Sequence, residues 1–165
     1  MEWREVVEHP SLQDLPFKIE TNTEGYIMMT PSSGELSGYQ GHIIEWLLRL
    51  GQWGLVRPEF PIQTTDGIKV ADVAWGSKEF FKRNAVDGRA PLVYKESPEV
   101  VVEVKSPSNS IRAMEGKMLL YFEAGAKEVW FCDKDGKMRF FKVEGELKRS
   151  GIFGQFPEHV DIDFM

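Results

Sequence analysis

PEVVVEVKSPSNS, residues 98–110, is a run of apolar β-forming residues that ends in two charged side chains and a turn. Val100–Val102 predicts a strand buried on both faces, because a half-exposed strand would alternate apolar and polar residues. Side chains alternate along a strand, so Glu103 and Lys105 are predicted to share one face at its C-terminal end. Serine, proline and asparagine at 106–109 then end the strand, and ligand sites of open α/β sheets gather at such ends.

A second acid interrupts an earlier apolar run, because Asp72 stands in the middle of KVADVAW, residues 69–75. An ionised carboxylate in such a run is costly unless it is paired or binds a metal. Taken alone, Glu103 and Lys105 could simply reach water at the frayed end of an edge strand. Two acids in two strand-like runs, with a lysine nearby, instead favour a hard divalent cation bound by oxygen ligands. The lysine would orient the attacking water or stabilise charge on a phosphate.

These residues also carry a resemblance to a known family. Asp72 followed by Glu103-Val104-Lys105 resembles the D…ExK signature of the PD-(D/E)XK nuclease superfamily. VVEVKSPSNS (101–110) and KMLLYFEAGAKEVWFCD (117–133) are similar to its Uma branch, a family of proteins resembling restriction endonucleases. The resemblance spans residues 17–133 and implies an α/β, restriction-endonuclease-like fold, in which helices flank a mixed central β-sheet.

The resemblance implies a Mg²⁺-dependent (or Mn²⁺-dependent) endonuclease that hydrolyses DNA phosphodiester bonds. Asp72, Glu103 and the backbone carbonyl of Val104 would bind the metal. Lys105 would act on the attacking water or the phosphate. Alanine stands before Asp72 where the signature has proline, which leaves the acid in place. Many Uma members use a lysine from the following helix instead, so Lys117 is the alternative to Lys105.

Two further side chains are candidates for supporting roles. Ser110 can cap a helix that runs to Ala124, and Lys117 and Tyr121 lie four residues apart on it and are therefore neighbours. Tyr121 would orient a site residue if this helix packs beside the strand of Glu103. A helix predicted from Ser37 to about Leu50 carries Glu45. Some members of the superfamily place an acid on their first helix near the metal, so Glu45 is either an extra ligand or an ordinary exposed glutamate.

The remaining pattern predicts an N-terminal β-hairpin and several further strands. Asn22–Gly25 marks a turn between two β-forming segments, 17–21 and 25–30. Further strands are predicted at 56–64, 68–75, 127–133 and 138–143, and the tail 156–164 can add an edge strand. The strands at 100–104 and 127–133 flank a predicted helix and should therefore be parallel.

Composition limits the class of protein. The 165 residues, 42% hydrophobic and 28% charged, predict a single domain spanning residues 1–165. Cys132 is the only cysteine and lies in an apolar run, which predicts a core position and a reducing, cytoplasmic environment. No signal segment or membrane span is predicted. The net charge of −6 argues against a broad basic surface for nucleic acid, although a few basic residues cluster locally: Lys78, Lys82, Arg83 and Arg89.

Two other functions fit the same residues. The chain could be a non-catalytic nucleic-acid-binding or regulatory module that retains the nuclease fold, because fold does not imply function. It could also apply the same metal chemistry to RNA or to branched DNA. For a DNA endonuclease, a homodimer is the expected assembly, since two symmetric sites suit the cutting of both strands.

Overall fold

A computed structural model describes residues 2–51 and 53–161, and within them the chain forms four α-helices and eight strands. The helices are α1 (Trp3–Glu8), α2 (Gly34–Leu50), α3 (Lys78–Asn84) and α4 (Ile111–Glu123). The strands are β1 (Phe17–Thr21), β2 (Ile27–Pro31), β3 (Gly54–Thr64), β4 (Gly67–Ser77), β5 (Val100–Val104), β6 (Glu128–Cys132), β7 (Met138–Lys142) and β8 (Gly145–Leu147). None of the helices in these residues is long and apolar enough to cross a membrane.

The central sheet has six strands in the order β3-β4-β5-β6-β7-β8. Neighbouring strands pair antiparallel except β5 and β6, which are parallel and connected through α4. The parallel pairing of these two strands and the mixed sheet are therefore confirmed. β1 and β2 form the predicted N-terminal hairpin as a separate two-stranded antiparallel sheet.

The core lies on both faces of β5, which is buried along its whole length. Val100 and Val102 pack in a cluster with Ile43 and Leu47 of α2. Val101 packs in a second cluster with α4. Because side chains alternate along a strand, the two helices cover opposite faces of the sheet. Glu103 has the same parity as Val101 and so points to the α4 face.

Cys132, at the end of β6, is fully buried in the first of these clusters. The core position predicted for it is confirmed.

The largest differences from the predicted elements lie at the start of α2 and in the C-terminal tail. α2 begins at Gly34, and the hydroxyl of Ser33, not Ser37, accepts the capping hydrogen bond, from the amide of Leu36. The earlier start brings Leu36 into the helix, where it packs against the core. The predicted edge strand at 156–164 lies partly outside the described residues. Over 156–161 the structure has only an isolated bridge, between Lys137 and His159.

Candidate active site

The register of β4 and β5 brings the two predicted acids together. Val73 pairs with Val102 in this antiparallel ladder, so the next positions, Asp72 and Glu103, face each other across the two strands. Directly opposed side chains on neighbouring strands lie within contact distance on one face. The amide of Val104 also donates a 2.7 Å hydrogen bond to Asp72 Oδ2. Both acids are only 2% exposed, and their charges therefore require partners.

The first partner is Lys18, on β1 of the N-terminal hairpin. Its ammonium lies 2.9 Å from Asp72 Oδ1 and 3.3 Å from Glu103 Oε2. One cation thus bridges the two acids, with its side chain only 13% exposed. Pairing of this kind offsets part of the cost of burying two carboxylates side by side.

Helix α4 supplies two more partners of Glu103. The Lys117 ammonium lies 2.8 Å from Glu103 Oε1 and 2.7 Å from Glu20 Oε2. The Tyr121 hydroxyl donates a 2.6 Å hydrogen bond to the same Glu103 Oε1. Glu20, two residues after Lys18 on β1, also accepts a hydrogen bond from the amide of Val70. The result is a continuous network of three carboxylates and two ammonium groups.

A side chain on the opposite face holds the backbone at Asp72. The β3–β4 ladder is interrupted where Glu59, with a left-handed φ of 50°, stands opposite Asp72. Gln40 of α2 fills the gap: its side-chain amide donates to the Asp72 carbonyl at 2.6 Å and to Glu59 Oε1 at 3.0 Å. Gln40 is buried, so α2 and α4 fix this part of the sheet from both sides.

The pKa values of Asp72, Glu103 and Lys18 shift in different directions, so these groups do not titrate together. Burial and repulsion from Glu103 raise the pKa of Asp72 to about 7, against the opposing effect of Lys18. Burial would also raise the pKa of Glu103, but the ammonium groups of Lys117 and Lys18 outweigh it and lower that pKa below the ordinary range. Burial would lower the pKa of Lys18, but attraction from the acids outweighs it and raises the pKa. Lys18 therefore stays protonated and Glu103 stays ionised. Asp72, in contrast, takes up a proton as the pH falls through its pKa of about 7.

The network lines a cavity of about 610 Å³. Its wall includes the three acids and both ammonium groups of the network. The turn after β5 and the start of α4 contribute polar side chains to the same wall: Ser106, Ser108, Asn109 and Ser110. The buried acids thus lie in the wall of the cavity beside hydrogen-bonding groups, and apolar side chains such as Met28, Leu36 and Leu120 form other parts of that wall.

Lys105 and Glu45 lie outside this network. The Lys105 ammonium donates to the backbone carbonyls of Asn109 at 2.9 Å and Ser106 at 3.3 Å. β5 ends at Val104, and carbonyls of the turn that follows bind the Lys105 side chain. Glu45 is half exposed on α2 and pairs with Arg49 at 2.6 Å.

The carboxylate oxygens at the centre of the network suit a small, hard divalent cation. Asp72 Oδ1 and Glu103 Oε2 both face the Lys18 nitrogen, so they converge on one position, and carboxylate oxygens are the ligands that Mg²⁺ and Mn²⁺ prefer. Among residues 2–51 and 53–161, no cluster of three or more His, Cys, Asp or Glu side chains is arranged to hold a metal. Backbone carbonyl oxygen and water are the other ligands that Mg²⁺ accepts beside one or two carboxylates.

Sequence reasoning missed three members of this site: Lys18, Glu20 and Gln40. The signal for the first two was present in the predicted hairpin, because alternation in β1 places Lys18 and Glu20 on one face. Nothing local showed which element that face would meet. Gln40 resembles any polar residue on an amphipathic helix, and no pattern marks it.

Comparison with known proteins agrees with this architecture. A family model described as "Uma2: Putative restriction endonuclease" matches residues 5–160. A crystal structure of a "putative nuclease belonging to DUF820" from Anabaena variabilis superposes with a TM-score of 0.75, covering 98% of this chain and 95% of that one. At 16% identity, this likeness shows the shared fold. A search of curated proteins finds no match.

Proposed function

Because this chain belongs to the Uma2 family, we propose that it is a metal-dependent endonuclease that hydrolyses phosphodiester bonds of DNA. The observation that carries the proposal is the opposition of Asp72 and Glu103 on adjacent strands, with one oxygen of each facing the Lys18 ammonium. Buried carboxylates kept together at an open cavity oppose stability and therefore point to function.

Asp72, Glu103 and the carbonyl of Val104 would hold Mg²⁺ or Mn²⁺ at this position. The bound ion would polarise the phosphate and lower the pKa of a coordinated water. Tyr121 orients Glu103, and Gln40 fixes the backbone of Asp72. The Val104 amide also holds the Asp72 carboxylate, so each of the two carboxylates has a fixed donor, which is what a preorganised site requires.

Lys117 is the lysine that we assign to the reacting groups. Its ammonium reaches Glu103 from α4 and lines the cavity, whereas the Lys105 ammonium is bound by two backbone carbonyls. A cation beside the phosphate would stabilise the negative charge that develops during hydrolysis. We therefore propose Lys117, not Lys105, for that role, with Lys105 holding the turn that borders the cavity.

The test is cleavage of supercoiled plasmid by purified protein with Mg²⁺ or Mn²⁺, beside a sample with EDTA. We expect metal-dependent nicking that Asp72→Ala abolishes. Glu45→Ala is the matched control, since it removes an acid that pairs only on the outer surface of α2, and it should cleave like the native protein. Nicking that survives Asp72→Ala would contradict the proposed site, and cleavage of RNA alone would redirect the activity to another substrate.

A further inference from the structure

The ammonium of Lys18 stands where the two acids converge. It contacts Asp72 Oδ1 and Glu103 Oε2, one oxygen from each acid. Lys117 contacts Glu103 through the other oxygen, Oε1, and reaches Glu20 rather than Asp72. Of these two lysines, only Lys18 contacts both Asp72 Oδ1 and Glu103 Oε2.

The backbone that carries Lys18 is fixed. Three bonds join the end of β1 to β4: the Ile68 amide donates to Thr21 Oγ1, the Lys69 ammonium to the Thr21 carbonyl, and the Val70 amide to Glu20 Oε2. The hairpin therefore cannot withdraw from the site without breaking these buried contacts. The Lys18 side chain is different, because four rotatable bonds allow its ammonium to move while the strand stays in place.

We propose that Lys18 is a positioning residue that competes with the divalent cation for Asp72 and Glu103, so that cation binding moves its ammonium off these carboxylates and into the cavity. This inference rests on the proposed function, since it concerns the same metal position. Lys18 would hold the two acids together against their mutual repulsion before the metal arrives.

The physical reason is that one pair of oxygens cannot serve both cations. Mg²⁺ requires carboxylate oxygens at about 2.0–2.1 Å, and an ammonium in contact with those same oxygens would then lie close to the metal charge. Repulsion between charges a few ångströms apart in a partly buried site amounts to several powers of ten in affinity. The cavity that Lys18 lines provides space for the displaced ammonium, where it would meet the phosphate of a bound nucleic acid.

The first test measures Mn²⁺ affinity by isothermal titration calorimetry, which needs no catalysis. Lys18→Met removes the competing charge and keeps the length of the side chain, so we expect Mn²⁺ to bind about tenfold tighter or more than to the native protein. Lys82→Met, on the exposed face of α3, should leave the affinity unchanged. Equal or weaker binding by Lys18→Met would overturn the proposal, because it would mean that Lys18 is only a structural partner of the acids.

A second test uses the native protein and does not depend on a variant that folds. Acetylation of lysines by an activated ester, quantified by mass spectrometry, should be slow at Lys18, whose side chain is only 13% exposed and whose ammonium is paired. We expect Mg²⁺ to increase acetylation of Lys18 severalfold. The rate at Lys82 should not change. Protection of Lys18 that is unchanged or greater with Mg²⁺ would exclude displacement.

These measurements separate the two proposals. Metal-dependent acetylation of Lys18 together with failure to cleave DNA or RNA would overturn the nuclease function and support the competition. Cleavage by the native protein, together with an unchanged Mn²⁺ affinity in Lys18→Met, would support the nuclease function and overturn the competition. If the native protein binds neither Mg²⁺ nor Mn²⁺, both proposals are wrong.

Discussion

The Tyr121 hydroxyl and the Glu103 carboxylate are joined by a 2.6 Å hydrogen bond from α4 to β5, and Tyr121 is fully buried. Burial and the charge of Glu103 raise the pKa of Tyr121 well above its usual value, so the hydroxyl keeps its proton and acts only as a donor. This bond couples the helix that carries Lys117 to the strand that carries Glu103.

Replacement of Tyr121 by phenylalanine should destabilise the fold measurably. The variant keeps the ring in the core but removes a donor from a buried, ionised carboxylate. Hydrogen bonds to charged groups contribute about 1.5–3 kcal/mol, so we expect the free energy of unfolding to fall by about 2 kcal/mol in a urea titration.

Tyr39→Phe is the matched control for this prediction. Tyr39 is also buried, but its hydroxyl donates to a neutral acceptor, the carbonyl of Lys134, at 2.9 Å. A bond between neutral groups contributes about 1 kcal/mol. If Tyr121→Phe costs no more than Tyr39→Phe, then Lys117 and Lys18 already satisfy Glu103 and the hydroxyl adds little.

Replacing each of the two candidate lysines by methionine should have very different effects on the rate of DNA cleavage. Lys117→Met removes an ammonium 2.8 Å from Glu103, and loss of a charge at the reacting phosphate typically costs about 10²-fold or more in rate. Lys105→Met removes bonds to the turn at Ser106 and Asn109 and should leave most of the activity. Initial rates of plasmid nicking measure both. The opposite ranking would restore Lys105 as the catalytic lysine.

The centre of this site could be predicted from sequence because its determinants are local. Val100–Val102 identifies β5 as a buried strand, and an acid in such a strand must have partners. Asp66-Gly67 is a turn signal between the strands predicted at 56–64 and 68–75, so the strand of Asp72 is expected to return antiparallel to β3. Together with a resemblance to a family, these features were enough to select Asp72 and Glu103, which the β4–β5 register then places opposite each other.

The partners of these acids could not be predicted in the same way, because they come from distant segments. Lys18 lies 54 residues from Asp72 and 85 from Glu103 in sequence, and the docking of β1 against β4 decides their contact. Lys105 shows the same limit: alternation predicted a shared face with Glu103, but it could not show that carbonyls of the following turn, at Ser106 and Asn109, would bind the ammonium.

Cys132 should be unreactive in the folded protein. The thiol is fully buried, and burial together with Asp133 and Asp72 raises its pKa to about 12, against a usual value of 9.0. The thiolate is the reactive form, so three pH units reduce its population about a thousandfold near neutral pH. We expect no reaction with a disulfide reagent until urea unfolds the chain, and then one thiol per chain. Rapid labelling of the native state would contradict the burial of β6.

The pH dependence of stability should report the raised pKa of Asp72. A carboxyl whose pKa rises from 3.8 to about 7 on folding binds more protons in the folded state, so stability falls as pH increases through that interval. Glu103 has a lowered pKa, and its contribution is already complete above its ordinary range. Asp72→Asn removes the titration of Asp72. The free energy of unfolding of the variant, relative to the native protein, should therefore rise by about 3 kcal/mol between about pH 4.5 and 7.5.

Urea titrations in EDTA across this range provide the measurement, and Asp66→Asn is the control. Asp66 accepts hydrogen bonds from the hydroxyl and amide of Thr23, which lower its pKa. Its contribution is complete above its ordinary pKa and is lost only at lower pH, so the difference for Asp66→Asn should stay flat over the same interval. A flat difference for Asp72→Asn as well would mean that Lys18 keeps Asp72 ionised throughout. When Mg²⁺ replaces EDTA, the slope expected for the native protein should reverse, because a cation bound by ionised Asp72 stabilises the folded state.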